Sequence, residues 1–199
     1  MKTSIPPVLR LASASPRRRE LLSQIGVPHV VTTADIDETV EPGEAPHDYV
    51  MRMAQSKARA IWHVDKTLPV LGADTTVVLN GVIYGKPRDK ANAAGMLRSL
   101  SARTHEVLTA VALATGAGVA VRLNVSTVRF REILPEEVEA YWETGEPRDK
   151  AGAYAVQGYG AVFIDRLKGS YSGVMGLPLF ETAGLLRAAQ IPCWVGAGS

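Results

Sequence analysis

The run Ser13-Ala14-Ser15-Pro16-Arg17-Arg18-Arg19 follows the apolar stretch Val8 to Leu11 and leads into Glu20-Leu21-Leu22. It reads as a strand, a tight turn and a helix start that gather hydroxyls, free backbone N–H groups and guanidinium groups at one point. Ser15 suits the N-cap because its hydroxyl can accept from a first-turn N–H, and Pro16 suits the next position because it has no N–H to leave unpaired. Arg17 and Arg18 then stand at the positive end of the helix dipole, where an anion is favoured. At about 100° per residue, Arg18 falls near the middle of the stripe Leu21, Leu22 and Ile25, while Arg19 points away. The chemistry expected of Ser13, Arg17 and Arg18 is phosphate binding. The competing reading is an arginine run that solvates a helix face or touches nucleic acid without specificity.

Lys57 is the next candidate. In a helix from about His47 to Trp62, the positions Val50, Met53, Ala54, Ala58 and Ile61 define one apolar face. Lys57 projects within about 20° of Val50, with Arg52 and Arg59 on the opposite, solvent side. A lysine on a buried stripe must snorkel, form a structural ion pair or meet an anionic ligand. Asp74 ends the apolar run Val70-Leu71-Gly72-Ala73, where a carboxylate has no packing reason to stand. If Asn80-Gly81 is a two-residue hairpin turn, Thr75 pairs with Lys86 and Asp74 lies diagonal to that lysine. The pair is then either a cross-strand salt bridge or an acid that polarises water or binds a divalent ion beside a phosphate-neutralising base. Asp37-Glu38 adds carboxylates of the kind hard cations prefer, in a loop whose other acidic residues solvate it. Gly145 to Gly158 is rich in glycine and small residues and is expected as a long functional loop. Its Gln157 can donate and accept at once, as reading a nucleobase edge requires, or cap backbone groups instead.

The elements that would position these groups alternate strand and helix, which argues for an α/β fold with a mixed sheet. Strands are expected at Val8 to Leu11, His29 to Thr33, Pro69 to Leu79, Val82 to Tyr84, Glu106 to Ala114, Val119 to Phe130 and Val162 to Asp165. Helices are expected from Pro16 to a stop at Gly26, from His47 to Trp62, Ala91 to Leu100, Pro135 to Trp142 and Leu179 to Ala189, with an acidic loop at Ala34 to Pro46. A chain of 199 residues, 46% hydrophobic, supports one substantial core or two lobes sharing one. Twenty-two basic against 20 acidic residues leave a net charge of +2, so no global field would hold the chain on DNA or on a membrane. The single cysteine, Cys193, rules out an intrachain disulfide or a thiolate metal cluster and fits a reducing compartment. Met1 to Pro7 lacks the apolar stretch of a signal peptide, and no run approaches the roughly 18 residues of a membrane span. A cytoplasmic location is expected, with no membrane or nucleic-acid partner.

Together these segments resemble the Maf family of nucleoside triphosphate pyrophosphatases, from about Leu9 to Leu186. The resemblance rests on Leu11-Ala12-Ser13-Ala14-Ser15-Pro16-Arg17-Arg18, Asp37-Glu38, Lys57-Ala58, Gly72-Ala73-Asp74-Thr75 and Gly85-Lys86-Pro87. It continues in Glu146 to Tyr154 with Gln157-Gly158, and in Gly169-Ser170-Tyr171 with Gly176-Leu177-Pro178-Leu179. It implies a single domain over residues 1–199 with a mixed twisted β-sheet, flanking helices and two lobes around a central cleft. It further implies hydrolysis of a nucleoside triphosphate between the α- and β-phosphates with a divalent metal, Mg²⁺ or else Mn²⁺. The residue matching Asp74 is the proton acceptor for water, and that matching Glu38 supports the metal or the water, so both are the expected metal ligands. Lys57 and Lys86 would bind phosphate oxygens beside Ser13, Arg17 and Arg18. Arg17, Thr75 and Gln157 resemble the branch acting on dTTP and UTP; the 7-methyl-GTP branch carries tryptophan, glutamine and glutamate there. Clearance of such nucleotides from the precursor pool is the expected role, and a homodimer is implied. A nucleotide-binding regulator of cell division or septum formation and a 7-methyl-GTP pyrophosphatase are the alternatives. Ala155 and Gly173 depart from the glycine and asparagine common in the family, and the second is expected to loosen the loop near Tyr171.

Overall fold

A computed structural model describes residues 5–195; residues 1–4, part of the N-terminal segment considered above, and 196–199 lie outside the described residues. The strands are β1 (Leu9–Ala12), β2 (His29–Val31), β3 (Val70–Leu79), β4 (Val82–Tyr84), β5 (Thr104–Thr115), β6 (Gly118–Phe130) and β7 (Ile164–Lys168). The helices are α1 (Pro16–Gln24), α2 (Pro46–Val64), α3 (Lys90–Leu100), α4 (Pro135–Glu143), α5 (Tyr171–Met175) and α6 (Leu179–Ala188). The expected alternation is present, with ends displaced by a few residues. Helix α5 is an addition, and β7 lies at Ile164–Lys168 rather than at Val162 to Asp165.

All strands join one mixed sheet in the order β2-β1-β3-β5-β6-β7, with β4 also on β3. Strand β1 runs parallel to β2 and β3, and the remaining pairs are antiparallel. Asn80 and Gly81 both have positive φ, 52° and 77°, as a tight hairpin turn between right-twisted strands requires.

The centre of the sheet is β3, buried along almost its whole length because helices cover both faces. Leu71 and Ala73 pack with Leu9, Leu11, Val111 and Leu113 under α1 and α6. Val70 and Val78 point the other way, towards Val50, Ala54 and Ala58 of α2. Gly72 lets α2 approach this closely: a Cβ there would lie 2.3 Å from the Ala54 carbonyl oxygen and 2.7 Å from the Ala58 nitrogen. A third apolar cluster joins Val77 and Leu79 to α3, α4 and the rings of Phe130, Tyr141, Tyr154 and Phe163.

The β3 pairing pattern leaves one opening. Strand β5 pairs with β3 from Val70 to Val78. On the other edge, β1 pairs only from Val70 to Gly72 and β4 only from Val77 to Leu79. Ala73 to Thr76 therefore has no strand neighbour on that edge. Beyond Ala12, β1 turns away into α1, and the chain likewise leaves β4 after Tyr84. The segment 145–158 closes over the gap from the β4 side, where the Gly152 N–H donates to the Gly85 carbonyl at 3.0 Å. This segment is not the irregular loop that its small residues suggest, and part of it joins the core. It forms two short 3₁₀ turns, Glu146–Asp149 and Ala151–Ala153, and residues 152–156 are buried. Its small residues serve close packing: Gly152 has φ +66°, and a Cβ there would meet the Val77 side chain at 3.0 Å.

His105 of β5 is buried against Phe130, with a ring nitrogen 2.8 Å from the Tyr154 hydroxyl and Nδ1 lacking a protein partner. Burial pushes its pKa down from 6.5 to about 4, so the folded state holds the neutral ring. The unfolded chain binds a proton near pH 6.5 that the native state refuses until about pH 4. Stability from this group is thus complete above pH 6.5 and declines as pH falls towards 4. In urea unfolding at pH 7 and pH 4, His105→Gln should lose about 3 kcal/mol less than the wild type on acidification. Equal losses would show that His105 is not the proton-linked group.

Candidate active site

A cavity of about 610 Å³ occupies the gap beside Ala73 to Thr76. The nine residues given a binding or catalytic role by the resemblance line it: Ser13, Arg17, Arg18, Glu38, Lys57, Asp74, Thr75, Lys86 and Gln157, whereas Asp37, the other carboxylate singled out beside Glu38, does not. They come from the β1–α1 turn, the first turn of α1, the acidic loop, α2, β3, the segment after β4 and the segment 145–158, so the gap is where their elements meet.

Adjacent residues of a strand point to opposite faces, and this sorts the site into two halves. Asp74 points towards α2. Its Oδ1 accepts from Lys57 Nζ at 2.7 Å, and the same ammonium lies 2.7 Å from Glu38 Oε1. Asp74 and Lys57 each have side chains only 12% exposed, against 49% for Glu38. Burial works against ionisation of Glu38, but the hydrogen bond and charge of Lys57, helped by Lys86 and Arg18, outweigh it and hold its carboxyl below the ordinary range. The diagonal Asp74–Lys86 pair is not formed. The β3–β4 ladder stops at Val77 and Tyr84, and the exposed Lys86 stands at the cavity wall without joining Asp74. Lys57 therefore neither snorkels nor waits as an isolated cation; it bridges two carboxylates.

Thr75 points to the other face. Arg18 Nη2 donates to its hydroxyl at 3.0 Å, Arg18 Nη1 to Ser13 Oγ at 3.2 Å and Arg18 Nε to the Gly176 carbonyl at 2.8 Å. Burial draws the Arg18 guanidinium below its ordinary value and the Asp74 charge opposes this; arginine starts high enough to remain charged. The Thr109 hydroxyl faces two acceptors, the Gly173 carbonyl at 2.8 Å and Thr75 Oγ1 at 3.1 Å, and so links β3 to the segment at Gly173. Ser13 Oγ accepts from both Arg18 and the Ser15 N–H, which directs its proton away from them. Ser13, not Ser15, thus organises the turn: Ser15 occupies the N-cap position with no side-chain capping bond.

Of the remaining arginines, Arg17 is half-buried at the cavity wall and Arg19 is exposed. Gln157 is exposed at the rim and forms no hydrogen bond among those described, so it is not a backbone cap. Gly173 does not loosen its loop. Asn124 from β6 fills the space that a side chain at 173 would need, its Oδ1 only 2.7 Å from where a Cβ would stand. The Gly173 N–H donates to Ser170 Oγ at 3.0 Å.

Tyr49 and Arg52 of α2 were not expected here. The Tyr49 hydroxyl lies 3.1 Å from the Glu38 carbonyl oxygen and lines the cavity. Its burial, with the charges of Asp74 and Glu38, pushes its pKa up to about 12, so it stays a donor. Arg52 does not project to solvent; it donates to the Thr39 carbonyl and to both oxygens of Glu44. The spacing of Tyr49 to Lys57, two helical turns, was the available signal for the first. Nothing local marked the second.

A family profile described as Maf-like protein matches residues 8–189. Three proteins named dTTP/UTP pyrophosphatase align over nearly the full chain. That of Saccharophagus degradans is 53% identical over 94% of this chain and 90% of its own. That of Hahella chejuensis is 50% identical over 94% of both chains. That of Alkalilimnicola ehrlichii is 51% identical over 96% of this chain and 97% of its own. Among solved structures, the Ham1 protein of Staphylococcus aureus aligns with a TM-score of 0.47 and 17% identity over 61% of this chain and 71% of that one.

The bridge makes a specific expectation for Lys57→Met. Without the ammonium, burial acts on Glu38 with only Lys86 and Arg18 left to oppose it. The Glu38 side-chain carboxyl, followed by ¹³C NMR, should titrate at higher pH in Lys57→Met than in the wild type. An unchanged midpoint would show that Lys57 does not set its charge.

Proposed function

The chain belongs to the family of Maf-like proteins, and on that premise we propose that it is a pyrophosphatase that cleaves dTTP and UTP between the α- and β-phosphates, releasing the monophosphate and pyrophosphate. The observation that carries this reading is the convergence of a carboxylate pair on one lysine with a serine–arginine turn at a helix N-terminus, inside a single nucleotide-sized cavity.

The triphosphate lies with its charge towards Ser13, Arg17 and the α1 N-terminus, where a hydroxyl proton and oriented N–H groups meet it without reorganisation. Arg18 holds the wall in shape through Gly176, Thr75 and Ser13, and its remaining N–H groups face phosphate. Lys86 reaches phosphate oxygens from the β4 side. Asp74 takes the proton of the attacking water; with Oδ1 held by Lys57, Oδ2 is the oxygen that serves. Lys57 keeps that carboxylate aimed through its bond to Oδ1.

Among the described residues no group of three or more His, Cys, Asp or Glu side chains is placed to hold a metal ion. Two carboxylates on one ammonium do fit Mg²⁺, which is commonly bound through one or two carboxylates, waters and substrate phosphates. Glu38 and Asp74 would hold Mg²⁺, or Mn²⁺ in its place, and the ion would neutralise charge on the phosphate oxygens. For the base, the Gln157 amide offers a donor and an acceptor that match the alternating N–H and C=O edge of uracil and thymine. Arg17 and Thr75 complete the selecting set. Among the described residues no helix is long and apolar enough to cross a membrane. We propose a cytoplasmic homodimer that clears the nucleotide pool as its cellular form.

Pyrophosphate release with Mg²⁺ from a panel containing dTTP, UTP and 7-methyl-GTP tests the proposal. The wild type should turn over dTTP and UTP in preference, and Asp74→Asn should lower kcat/KM by about 10²- to 10⁴-fold with its fold intact. Nucleotide binding without turnover would favour a regulatory protein, and a preference for 7-methyl-GTP would overturn the substrate assignment.

A further inference from the structure

The acidic loop between β2 and α2 carries Glu38 but has no strand partner to hold it. Its internal bonds are short-range: Thr39 N–H to Asp37 Oδ1 at 2.9 Å, Glu41 N–H to Glu44 Oε2 at 3.0 Å and Glu44 N–H to the Glu41 carbonyl at 3.0 Å. These give the loop a shape without fixing where it stands. Thr32, where the chain leaves β2, is tied to β1, its N–H donating to the Leu11 carbonyl at 3.0 Å; beyond it, the described hydrogen bonds and ion pairs to the rest of the fold come from α2. Lys57 takes the Glu38 carboxylate, Tyr49 takes the Glu38 carbonyl and Arg52 takes the next carbonyl, that of Thr39, at 2.9 Å.

Arg52 makes the most extensive of these ties. Its Nε and Nη2 each lie 2.6 Å from an oxygen of Glu44, a side chain only 8% exposed, while Nη2 also donates to Thr39. Glu41 adds a weaker pair at 3.6 Å, and the guanidinium lies 5.7 Å from the centre of the Tyr49 ring. A surface ion pair of this kind would contribute little by itself. Here one planar fork joins Thr39, the residue that follows Glu38, to Glu44 at the far end of the loop, and it packs beside the tyrosine that holds the carbonyl of Glu38. A single ammonium could not span the same three acceptors.

We propose that Arg52, acting with Glu44, is a positioning residue for the reaction: it buckles the acidic loop onto α2 so that the Glu38 carboxylate stands at Lys57 and Asp74. Arg52 itself is absent from the cavity wall, and its effect passes through the Thr39 carbonyl and the Glu44 carboxylate. The inference rests on the pyrophosphatase reading for its kinetic readout. A wild type without turnover fails that reading, whereas an active wild type indifferent to Arg52 fails only this one.

The experiment compares the wild type with Arg52→Met, Arg52→Lys and Glu44→Gln in pyrophosphate release and in amide hydrogen exchange. Misplacing a reacting group by about 1 Å can cost about 10²-fold, so Arg52→Met and Glu44→Gln should each lower kcat by about 10- to 100-fold, with KM changing less than about threefold. The Thr39 and Glu41 amides should exchange at least about tenfold faster, while those of β3 keep their protection. Arg52→Lys should recover part of kcat. The inference is overturned if the loop amides loosen with kcat unchanged, if only KM rises, or if activity falls only in step with the folded fraction. Glu44→Gln removes the carboxylate partner without shortening any side chain, so it decides the matter if Arg52→Met does not fold.

Discussion

The unpaired edge of β3 at Ala73 to Thr76 is the constraint on which the rest of the site depends. A strand that is hydrogen-bonded on both edges and covered on both faces offers no room for a ligand. Here β1 leaves after Ala12 and β4 begins pairing only at Val77, while β5 keeps the other edge continuous. The gap opens a cavity at the end of a parallel strand pair, beside a helix N-terminus. The same logic governs ligand crevices in other open α/β sheets, where neighbouring connections diverge.

From that gap the chemistry divides by the period of a strand. Asp74 goes to the face of α2, and Thr75 to the face of α1 and α5. Asp74 meets Lys57 and the acidic loop, and Thr75 meets Arg18 and the chain that ends at Gly173. The proposed proton acceptor and the wall proposed to face phosphate thus stand on adjacent residues held by different layers. Gly72, two residues earlier, is what brings α2 near enough for Lys57 to reach Asp74, because any side chain there would strike the helix backbone.

Much of this was legible in the sequence because the relevant periods are local. The Ser13 to Arg18 turn announces itself by strand, N-cap position and Pro16, and Lys57 stands out because a cation on an apolar stripe needs a partner. Asn80-Gly81 gave the hairpin and its register. The errors came where a local rule was extended past its range. The register that aligns Val77 with Tyr84 would place Lys86 near Asp74 only if the ladder continued, and it stops. Arg52 looked solvated because the apolar stripe of α2 was read as its only buried face, while the acidic loop covers another. The small residues of 145–158 argued for a long loop and instead permit close packing on Val77. Gly176 as an Arg18 acceptor depends on a contact across 158 positions, which no period in either segment encodes.

The arrangement also explains why the two carboxylates differ although one ammonium serves both. Asp74 stands on the most constrained strand of the sheet, paired along β5 and backed by α2, so its position is set by the fold. Glu38 stands on a loop without strand pairing, about half exposed, and its position is set by side chains of α2. On the proposed roles, the group that takes a proton in fixed geometry stands on the rigid element, and Glu38 reaches the same ammonium only because α2 holds its loop in place. The mechanical difference between a central strand and a buckled loop separates Asp74 from Glu38 before any difference in their chemistry is invoked.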